Sequence, residues 1–439
     1  MRYHHLGLAL LMLPGFAKAD TLLDAVKHAG ATNAEMQAAI YQQLSSSEKE
    51  WQGIAGFLPS LQLTGSYTEQ DQPKAAYAAK VTRHDWGLSL TQPLFDVSKY
   101  ADYLRGKAMS QSGEIQLLKT QQKIINDVSD AYARVLYLRD VLHSAQVASK
   151  TYEKQLAQAR AAMDMGDVTR IDVDEAQANL DVSRAKEIEA ENELSAAGAR
   201  YTRLTGLSYR QVEPIAAQCL VARKSFQRNS EKLLLNRALA QNVDVRLAET
   251  QMDIAHSDVV AATSGHLPVA RLQASYGTNW SRGEGENPLD SLFGTTSKTT
   301  NSYIGVQVTV PIFNGGLALS QSREAAYKKE EARYQLIDTR HKIEEDLHTA
   351  LLNINNSVAL VTSTQRVITS EKSKVDSTSL GKDMGLRTQI DELNAQQRYY
   401  EAIKNNAEAR FKLLSAKINL SRIMGDLGYN VLSDITCTN

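Results

Sequence analysis

The sequence predicts a mixed α and β protein in which pairs of β-strands alternate with very long α-helical hairpins. Three observations support this prediction. The chain repeats itself at an offset of 209 to 219 positions, and its eight prolines are confined to a few stretches. Those stretches also alternate apolar and polar residues. Together these features indicate two copies of one unit, each with two strands and one helical hairpin.

The repeat extends over most of the chain. Matched pairs include Asn33 and Asn242, Ser66 and Ser275, Gly166 and Gly385, Thr169 and Thr388, and Asp172 and Asp391. Its period is far longer than that of common solenoid repeats. We therefore predict a first structural repeat over residues 20–230 and a second over residues 231–439.

The helical hairpins are predicted from two runs without proline, residues 94–213 and 312–439. Proline breaks helix interiors, and good helix formers dominate both runs. Gly166 and Gly385 interrupt the runs, which places the hairpins at about 97–206 and about 316–425. The first helix alone, residues 98–164, would be about 100 Å long. Apolar residues at spacings of three and four indicate coiled-coil packing.

The strands are predicted at about 57–70, 83–95, 266–280 and 301–313. Leu61 and Leu63 alternate with polar neighbours, as do apolar residues in the other three segments. This period gives each strand one apolar and one polar face. We expect the polar faces, with Arg271, to line water and the apolar faces to meet lipid, with Tyr67 and Trp86 in an aromatic girdle. The strands considered alone would also suit a soluble β-sandwich.

The N-terminal residues predict export. Arg2 precedes an apolar run that ends before Ala17-Lys18-Ala19, which is typical of a signal peptide over residues 1–19. No cysteine follows the expected cut, so a lipid anchor is not expected at Asp20. Without Arg2 and Lys18 the chain carries 47 basic and 50 acidic residues. That balance argues against a nucleic-acid partner.

Closure of the sheet requires more than one chain. The sequence has no second long apolar stretch, so we expect strands to make any membrane passage. Four strands are too few to close a barrel, and open strand edges are costly in lipid. Several protomers must therefore share one barrel, and three would supply twelve strands.

With this duplicated pattern, the chain resembles the TolC family of outer-membrane efflux and secretion proteins over essentially residues 20–439. The motifs that carry the resemblance are Phe57-Leu58-Pro59, Thr91-Gln92-Pro93-Leu94-Phe95, Val310-Pro311-Ile312-Phe313-Asn314-Gly315-Gly316 and the two Gly-x-x-Thr-x-Ile-Asp hairpins. The resemblance implies a homotrimer with a twelve-stranded β-barrel that continues as a coiled-coil periplasmic tunnel. It also implies a passive exit duct in the outer membrane of a Gram-negative bacterium. A periplasmic adaptor (membrane fusion) protein and an inner-membrane ABC or RND transporter would open it.

The resemblance also implies roles for individual residues. Asp391 corresponds to a pore-facing aspartate at the tunnel entrance, and Asp172 to the equivalent acidic position of the first hairpin. Asn394 departs from the family pattern at the second acidic position of the ring, which puts the strength of cation binding in doubt. Arg387 corresponds to an arginine that helps to hold the closed state.

Each of these residues has a simpler interpretation. Asp172 and Asp391 would also favour the dipole of a helix that begins beside them. Arg387 could be a solvated surface arginine. The turns at Gly166 and Gly385 match the adaptor-docking tips of the family, and both glycines also suit ordinary turns.

The two cysteines, Cys219 and Cys437, follow their repeats' returning helices by similar distances, 13 residues after Gly206 and 12 after Gly425. Exported proteins meet oxidants, so a disulfide between them and two free thiols are both open. A disulfide requires Cα atoms within about 7 Å. With only two cysteines, a zinc site is not expected.

Nothing in the sequence predicts catalysis or a cofactor. It has no Gly-x-Ser-x-Gly, P-loop or His-Glu-x-x-His motif, and we expect His341 and His348 to be solvated helix residues. The main alternative to a duct is a structural coiled-coil or adhesin-like surface protein without transport activity. Within the duct hypothesis, the cargo is either a drug or a secreted protein.

Overall fold

The computed structural model describes residues 21–71, 80–216, 219–220, 231–283 and 296–436. The signal peptide predicted for residues 1–19 lies outside them. In chain order the elements are α1 (Leu22–Thr32), α2 (Ala34–Ala55), β1 (Ser60–Asp71), β2 (Lys80–Phe95), α3 (Val97–Met165), α4 (Arg170–Thr205), a 3-10 turn (Tyr209–Gln211), α5 (Glu231–Gln241), α6 (Val243–Ser264), β3 (Val269–Gly283), β4 (Ser297–Thr309), α7 (Leu317–Asp383), α8 (Gln389–Ile423) and α9 (Tyr429–Thr436). Over this part of the chain, every helix is too short or too polar to cross a membrane.

The four strands form one antiparallel sheet in the order β1-β2-β3-β4. Cross-strand register separates its side chains into two faces. The apolar face includes Leu61, Leu63, Tyr67, Trp86, Leu88, Leu90, Leu272, Ala274, Tyr276, Trp280, Ile304 and Val306. The polar face includes Gln62, Thr64, Ser66, Asp85, Ser89, Thr91, Arg271, Gln273, Ser275, Asn279, Asn301 and Gln307. The strand register therefore aligns the apolar and polar positions predicted from the sequence across the four strands.

The strand ends differ from those predicted. β1 begins at Ser60 rather than 57, because Phe57 and Leu58 donate their amides back to α2 in a closing turn. β2 and β4 begin earlier than predicted, and β3 ends later, at Gly283. Polar residues such as Thr82 continue the ladder there, because backbone pairing does not need an apolar side chain.

The long helices match the prediction closely, because α3 has 69 residues and α7 has 67. Small buried residues recur along them every seven positions. One such series in α7 is Ala318, Ala325 and Ala332, and one in α8 is Ala395, Ala402 and Ala409. A seven-residue spacing keeps one seam of a helix facing its neighbours, as in coiled coils.

The chain divides into two compact units. The first comprises Met1–Ile40, Leu117–Val243 and Arg340–Asn439, and the second comprises Tyr41–Gln116 and Asp244–Thr339. Each unit takes segments from both predicted sequence repeats. The division into repeats at residues 20–230 and 231–439 describes the sequence pattern and stays a prediction.

The first unit has an extended helical core. Its largest fully buried side chains include Leu22, Tyr132, Tyr201 and Leu413. Side chains of this core also hold the segment that follows α4. Tyr132 donates to the Glu213 carbonyl at 2.6 Å, and Arg410 donates to the Ile215 carbonyl at 2.6 Å. Because these bonds go to backbone oxygens, they fix the segment whatever its own side chains are.

The second unit holds the sheet and the helix segments around it. Here α2 and α3 approach closely at Gly106, where an added Cβ would overlap the Lys49 carbonyl. A glycine is therefore required at this crossing.

Two repeat-related asparagines perform the same task in the first unit. Asn33 donates its side-chain amide to the Leu204 carbonyl at 3.1 Å, and Asn242 donates to the Ile423 carbonyl at 3.0 Å. Both acceptors lie at the end of a returning helix, where carbonyls lack an intrahelical partner. The repeat thus preserves a contact between residues far apart in sequence.

We expect Asn242→Ala to destabilise the protein by about 1–3 kcal/mol, because it leaves the Ile423 carbonyl without this donor at a site where Asn242 is 1% exposed. Asn33→Ala should cost less, because Asn33 is only partly buried. The measurement is the temperature at which helical circular dichroism is lost. Asn355→Ala, at an exposed position of α7, is the control. Equal melting temperatures for Asn242→Ala and Asn355→Ala would contradict this account.

Candidate functional site

The turn between α3 and α4 is built around Gly166. This residue has φ 84°, a left-handed conformation that favours glycine. Its amide donates to the Met163 carbonyl at 3.0 Å, and the Asp167 amide donates to the Ala162 carbonyl at 2.9 Å. These bonds satisfy carbonyls at the end of α3, so the long helix stops and the chain reverses.

The turn between α7 and α8 has the same design. Gly385 has φ 71°, and its amide donates to the Lys382 carbonyl at 2.9 Å. The Leu386 amide donates to the Gly381 carbonyl at 2.7 Å. A Cβ added at either glycine would meet no neighbouring atom, so glycine is favoured here by the positive φ angle and not by close packing.

The two predicted aspartates each complete a capping box at the start of a returning helix. Asp172 accepts from the backbone amide of Thr169 at 2.8 Å, and Asp391 accepts from that of Thr388 at 3.0 Å. The threonine hydroxyls accept in return from the aspartate amides. Reciprocal bonds of this kind satisfy helix N-terminal donors that would otherwise lack partners.

The simpler interpretation of Asp172 and Asp391, a charge that stabilises a helix N-terminus, therefore matches their contacts in one protomer. Hydrogen bonds from Thr169 hold the pKa of Asp172 below its ordinary value, and the backbone bond from Thr388 does the same for the pKa of Asp391. Arg387 adds a smaller favourable charge at Asp391. Both carboxylates thus stay ionised, and their assignment to a pore ring stays a prediction.

We expect Thr388→Ala to raise the pKa of Asp391 toward 3.8, because the variant removes the hydroxyl donor that favours the ionised form. A lowered carboxyl pKa stabilises the cap above the ordinary pKa, and this stabilisation is lost as the pH falls through the lowered value. The measurement is a carboxylate 13C NMR titration in which Asp391→Asn identifies the signal.

Thr369→Ala is the control for that titration, because its hydroxyl donates to the Gln365 carbonyl within α7 and is not part of the capping box. An unchanged Asp391 pKa in Thr388→Ala would show that the capping box does not set the charge.

The other predicted residues lie on or beside the second turn. Arg387 is exposed, and its stem lies against Gly381, where an added Cβ would come within 2.9 Å of the Arg387 Cγ. Asn394 is also exposed, one helical turn beyond Asp391. In the described part of the chain, the Arg387 guanidinium has no ion pair. Its predicted role as a latch, an arginine that helps to hold the closed state, stays a prediction.

A partly buried polar network beside this turn was not predicted from the sequence. Lys382 of α7 pairs with Glu392 of α8 at 2.7 Å, and Glu392 is 8% exposed. Gln396 donates to Glu392 at 3.3 Å and accepts from Gln155 of α3 at 3.0 Å. The network ties the second hairpin to the first. No signal in the sequence pairs these residues, because their contacts depend on how three helices pack.

The exposed apolar side chains at the tips of the hairpins were not predicted from the sequence either. The side chains of Met165, Ile171, Met384, Leu386 and Ile390 are 51–76% exposed. By the repeat, Met165 corresponds to Met384, and Ile171 corresponds to Ile390. The sequence signal that could have revealed them is an apolar residue directly before each turn glycine, together with an apolar residue two positions after each capping threonine. Exposed apolar groups of this kind commonly mark protein interaction sites.

The predicted pairing of Cys219 with Cys437 stays a prediction. Cys219 is disulfide-bonded, and Lys417 donates to its carbonyl at 3.5 Å. Cys437 lies outside the described residues. No group of three or more metal-ligating side chains is found within the described ranges.

Comparison with known proteins agrees with this architecture. The family model described as "Outer membrane efflux protein" matches residues 25–207 and 234–426. The outer membrane protein TolC of Vibrio cholerae is 26% identical over 428 residues, covering 97% of this chain and 95% of that protein. The alkaline protease secretion protein AprF of Pseudomonas aeruginosa is 28% identical, covering 96% of this chain and 88% of AprF. The crystal structure of the Campylobacter jejuni CmeC outer membrane channel superposes with a TM-score of 0.78 at 17% identity, covering 92% of this chain and 86% of that one.

Proposed function

The chain belongs to the family of outer membrane efflux proteins, and from this premise we propose how its structure builds a duct. It is an outer-membrane exit duct of an efflux or type I secretion system in a Gram-negative bacterium. The observation that carries the proposal is the sheet, which has one apolar face, one polar face and two outer strands, β1 and β4.

Those outer strands support the proposal of a homotrimer. In lipid, every backbone donor and acceptor needs a partner, and a sheet satisfies this only by closing on itself. Three copies of the sheet give a barrel of twelve strands in which β4 of one protomer pairs with β1 of the next. The apolar face then meets lipid, and the polar face lines a water-filled passage.

The partners are a periplasmic adaptor and an inner-membrane ABC or RND transporter. The relative named for alkaline protease secretion supports the type I secretion arm of the proposal. We place adaptor docking at the two tips, around Gly166 and Gly385, where apolar side chains such as Met384 and Leu386 are exposed. Exposed apolar groups on a rigid hairpin suit a helical partner with its own apolar stripe.

The gate is proposed to lie at the same end. Three copies of Asp391 would form a carboxylate ring, with Asp172 as a second ring and Asn394 weakening the first. Arg387 would hold neighbouring helices together in the closed state. The duct itself needs neither a catalytic group nor a cofactor, because the transporter supplies the energy.

The main alternative is a structural coiled-coil or adhesin-like surface protein. Membrane fractionation and unheated gel migration separate the two hypotheses. A duct should be found in the outer-membrane fraction as a detergent-resistant trimer that becomes monomeric on heating, and its deletion should abolish export of the cargo. A protein at the surface that stays monomeric and leaves export intact would overturn the duct proposal.

A further inference from the structure

One row of the sheet differs from the rest of the apolar face. Tyr67, His84, Trp280 and Lys298 are successive cross-strand partners across all four strands, and we call them the aromatic row. The rings of Tyr67 and His84 lie 4.8 Å apart, and those of His84 and Trp280 also lie 4.8 Å apart. A continuous band of rings therefore ends in a lysine.

The aromatic row lies at one end of the apolar face, near the end of β3. From Ala270, near the start of β3, to Trp280 is 10 residues, or about 33 Å along the strand. A strand tilt of about 40° reduces that to a height of about 25 Å, which matches the apolar band of an outer-membrane barrel. Beyond the row the same face carries charged residues, including Glu69, Lys80 and Arg282. The row thus marks the change from apolar to charged surface.

Beyond the row this face also carries Asp71, the cross-strand partner of Lys80, so the described charges there, counted with Lys298, leave only a small positive excess. Lys80 lies 4.0 Å from Glu69 and offsets it. Arg282 follows Trp280 by two residues on the same face, and Lys298 ends the row itself. Both side chains are exposed, and neither has an acidic partner at ion-pair distance in the described ranges. His84 adds an imidazole that can donate a hydrogen bond.

From this arrangement we propose that Lys298, Arg282 and His84 bind the phosphate of an outer-leaflet lipid headgroup, while the rings of the aromatic row contact its sugar and the tops of its acyl chains. The inference rests on the proposed function, which turns the apolar face toward lipid. Along the chain, the helices α2, α3, α6 and α7 join the strands at their opposite ends. In the proposed duct those helices enter the periplasm, so this end of the sheet would face the outer leaflet. Aromatic rings favour that interface, and cations there attract anionic headgroups.

The occupant is identified by its chemistry. Lys298 pairs with Trp280, and Arg282 lies two residues further along β3, so the two cations are diagonal neighbours on adjacent strands. Such a pair suits a phosphate monoester better than a zwitterionic headgroup, because the monoester keeps a net negative charge to pair with them. The neighbouring apolar band requires acyl chains on the same molecule. A phosphorylated glycolipid has both features.

The test uses the full-length trimer in detergent micelles and measures bound lipid by native mass spectrometry. The probes are bisphosphoryl lipid A, monophosphoryl lipid A and phosphatidylethanolamine. We expect Lys298→Gln to weaken binding of bisphosphoryl lipid A about fivefold, and Lys298→Gln with Arg282→Gln about twentyfold, since each cation near a membrane surface contributes about a factor of five. Lys298→Arg should keep the affinity.

Arg83→Gln is the matched control, because Arg83 is next to His84 in β2 but lies on the polar face, where it donates to Gln70 at 3.1 Å. It should leave lipid binding unchanged. Equal binding by the wild type and the double variant would overturn the site, as would equal binding of all three lipids. Loss of lipid binding only in Arg83→Gln would show that the faces are reversed.

The two proposals fail in different ways. If no heat-sensitive trimer forms and no conductance appears with any lipid, the duct proposal fails and the lipid site fails with it. If the trimer conducts but lipid binding ignores Lys298 and Arg282, only the lipid site is overturned.

Discussion

Leu90→Arg is expected to reduce the yield of the membrane-inserted trimer strongly. Leu90 lies on the apolar face between Leu61 and Ala274, near the middle of the apolar band. An arginine at the bilayer midplane of a barrel costs about 2–4 kcal/mol, and a trimer carries three copies of the change. We therefore expect the heat-sensitive trimer in outer-membrane extracts to fall at least tenfold, as measured by unheated gel migration.

Ser89→Arg is the matched control for that change. Ser89 is the preceding residue of β2 and lies on the polar face, opposite Gln62 and Ser275. An arginine there would enter water, so trimer yield should stay near the wild-type level. If both variants assembled equally well, the apolar face could not be the surface that meets lipid.

Arg387→Ser is expected to raise the resting conductance of the duct several-fold without preventing trimer assembly. The Arg387 side chain is exposed beside the second turn, and its proposed role is to hold neighbouring helices together in the closed state. Removing a latch should shift the equilibrium toward the open state, because the closed state loses a contact that the open state lacks. Resting conductance equal to the wild type would exclude Arg387 as the latch.

Asp391→Asn is the companion change at the gate. The amide oxygen can still accept from Thr388, so the capping box is retained while the charge is removed. At 4 Å, attraction between unit charges is about 1 kcal/mol in water and about 4 kcal/mol at an effective dielectric constant of 20. Block by multivalent cations should therefore weaken at least fivefold, together with a lower cation preference.

Asp172→Asn removes the same charge from the equivalent cap of the first hairpin. If it changes selectivity as Asp391→Asn does, both hairpins contribute a ring. If neither variant changes selectivity, these carboxylates serve only as helix caps.

The features that could be predicted from the sequence are those set by local rules. Alternation in β1 follows from the two-residue period of a strand, which is why Leu61 and Gln62 lie on opposite faces of the sheet, as predicted. The turns at Gly166 and Gly385 and the helices that begin after them follow from left-handed glycine and capping chemistry. These signals are contained within a few residues, so one sequence is sufficient to detect them.

The features that were missed depend on packing between distant segments. Asn242 bonds to the end of α8, 181 residues away, and Lys382 meets Glu392 only because α7 and α8 lie side by side. Strand ends were misplaced because a backbone ladder continues through polar residues such as Thr82. Neither kind of contact leaves a periodic signal in the sequence.

The most direct test of the duct is planar-bilayer recording of the purified wild-type protein. The account predicts discrete conductance steps that prefer cations and are blocked from the periplasmic side by multivalent cations. A protein that inserts as a trimer but gives no conductance steps, or gives anion-selective steps, would contradict it.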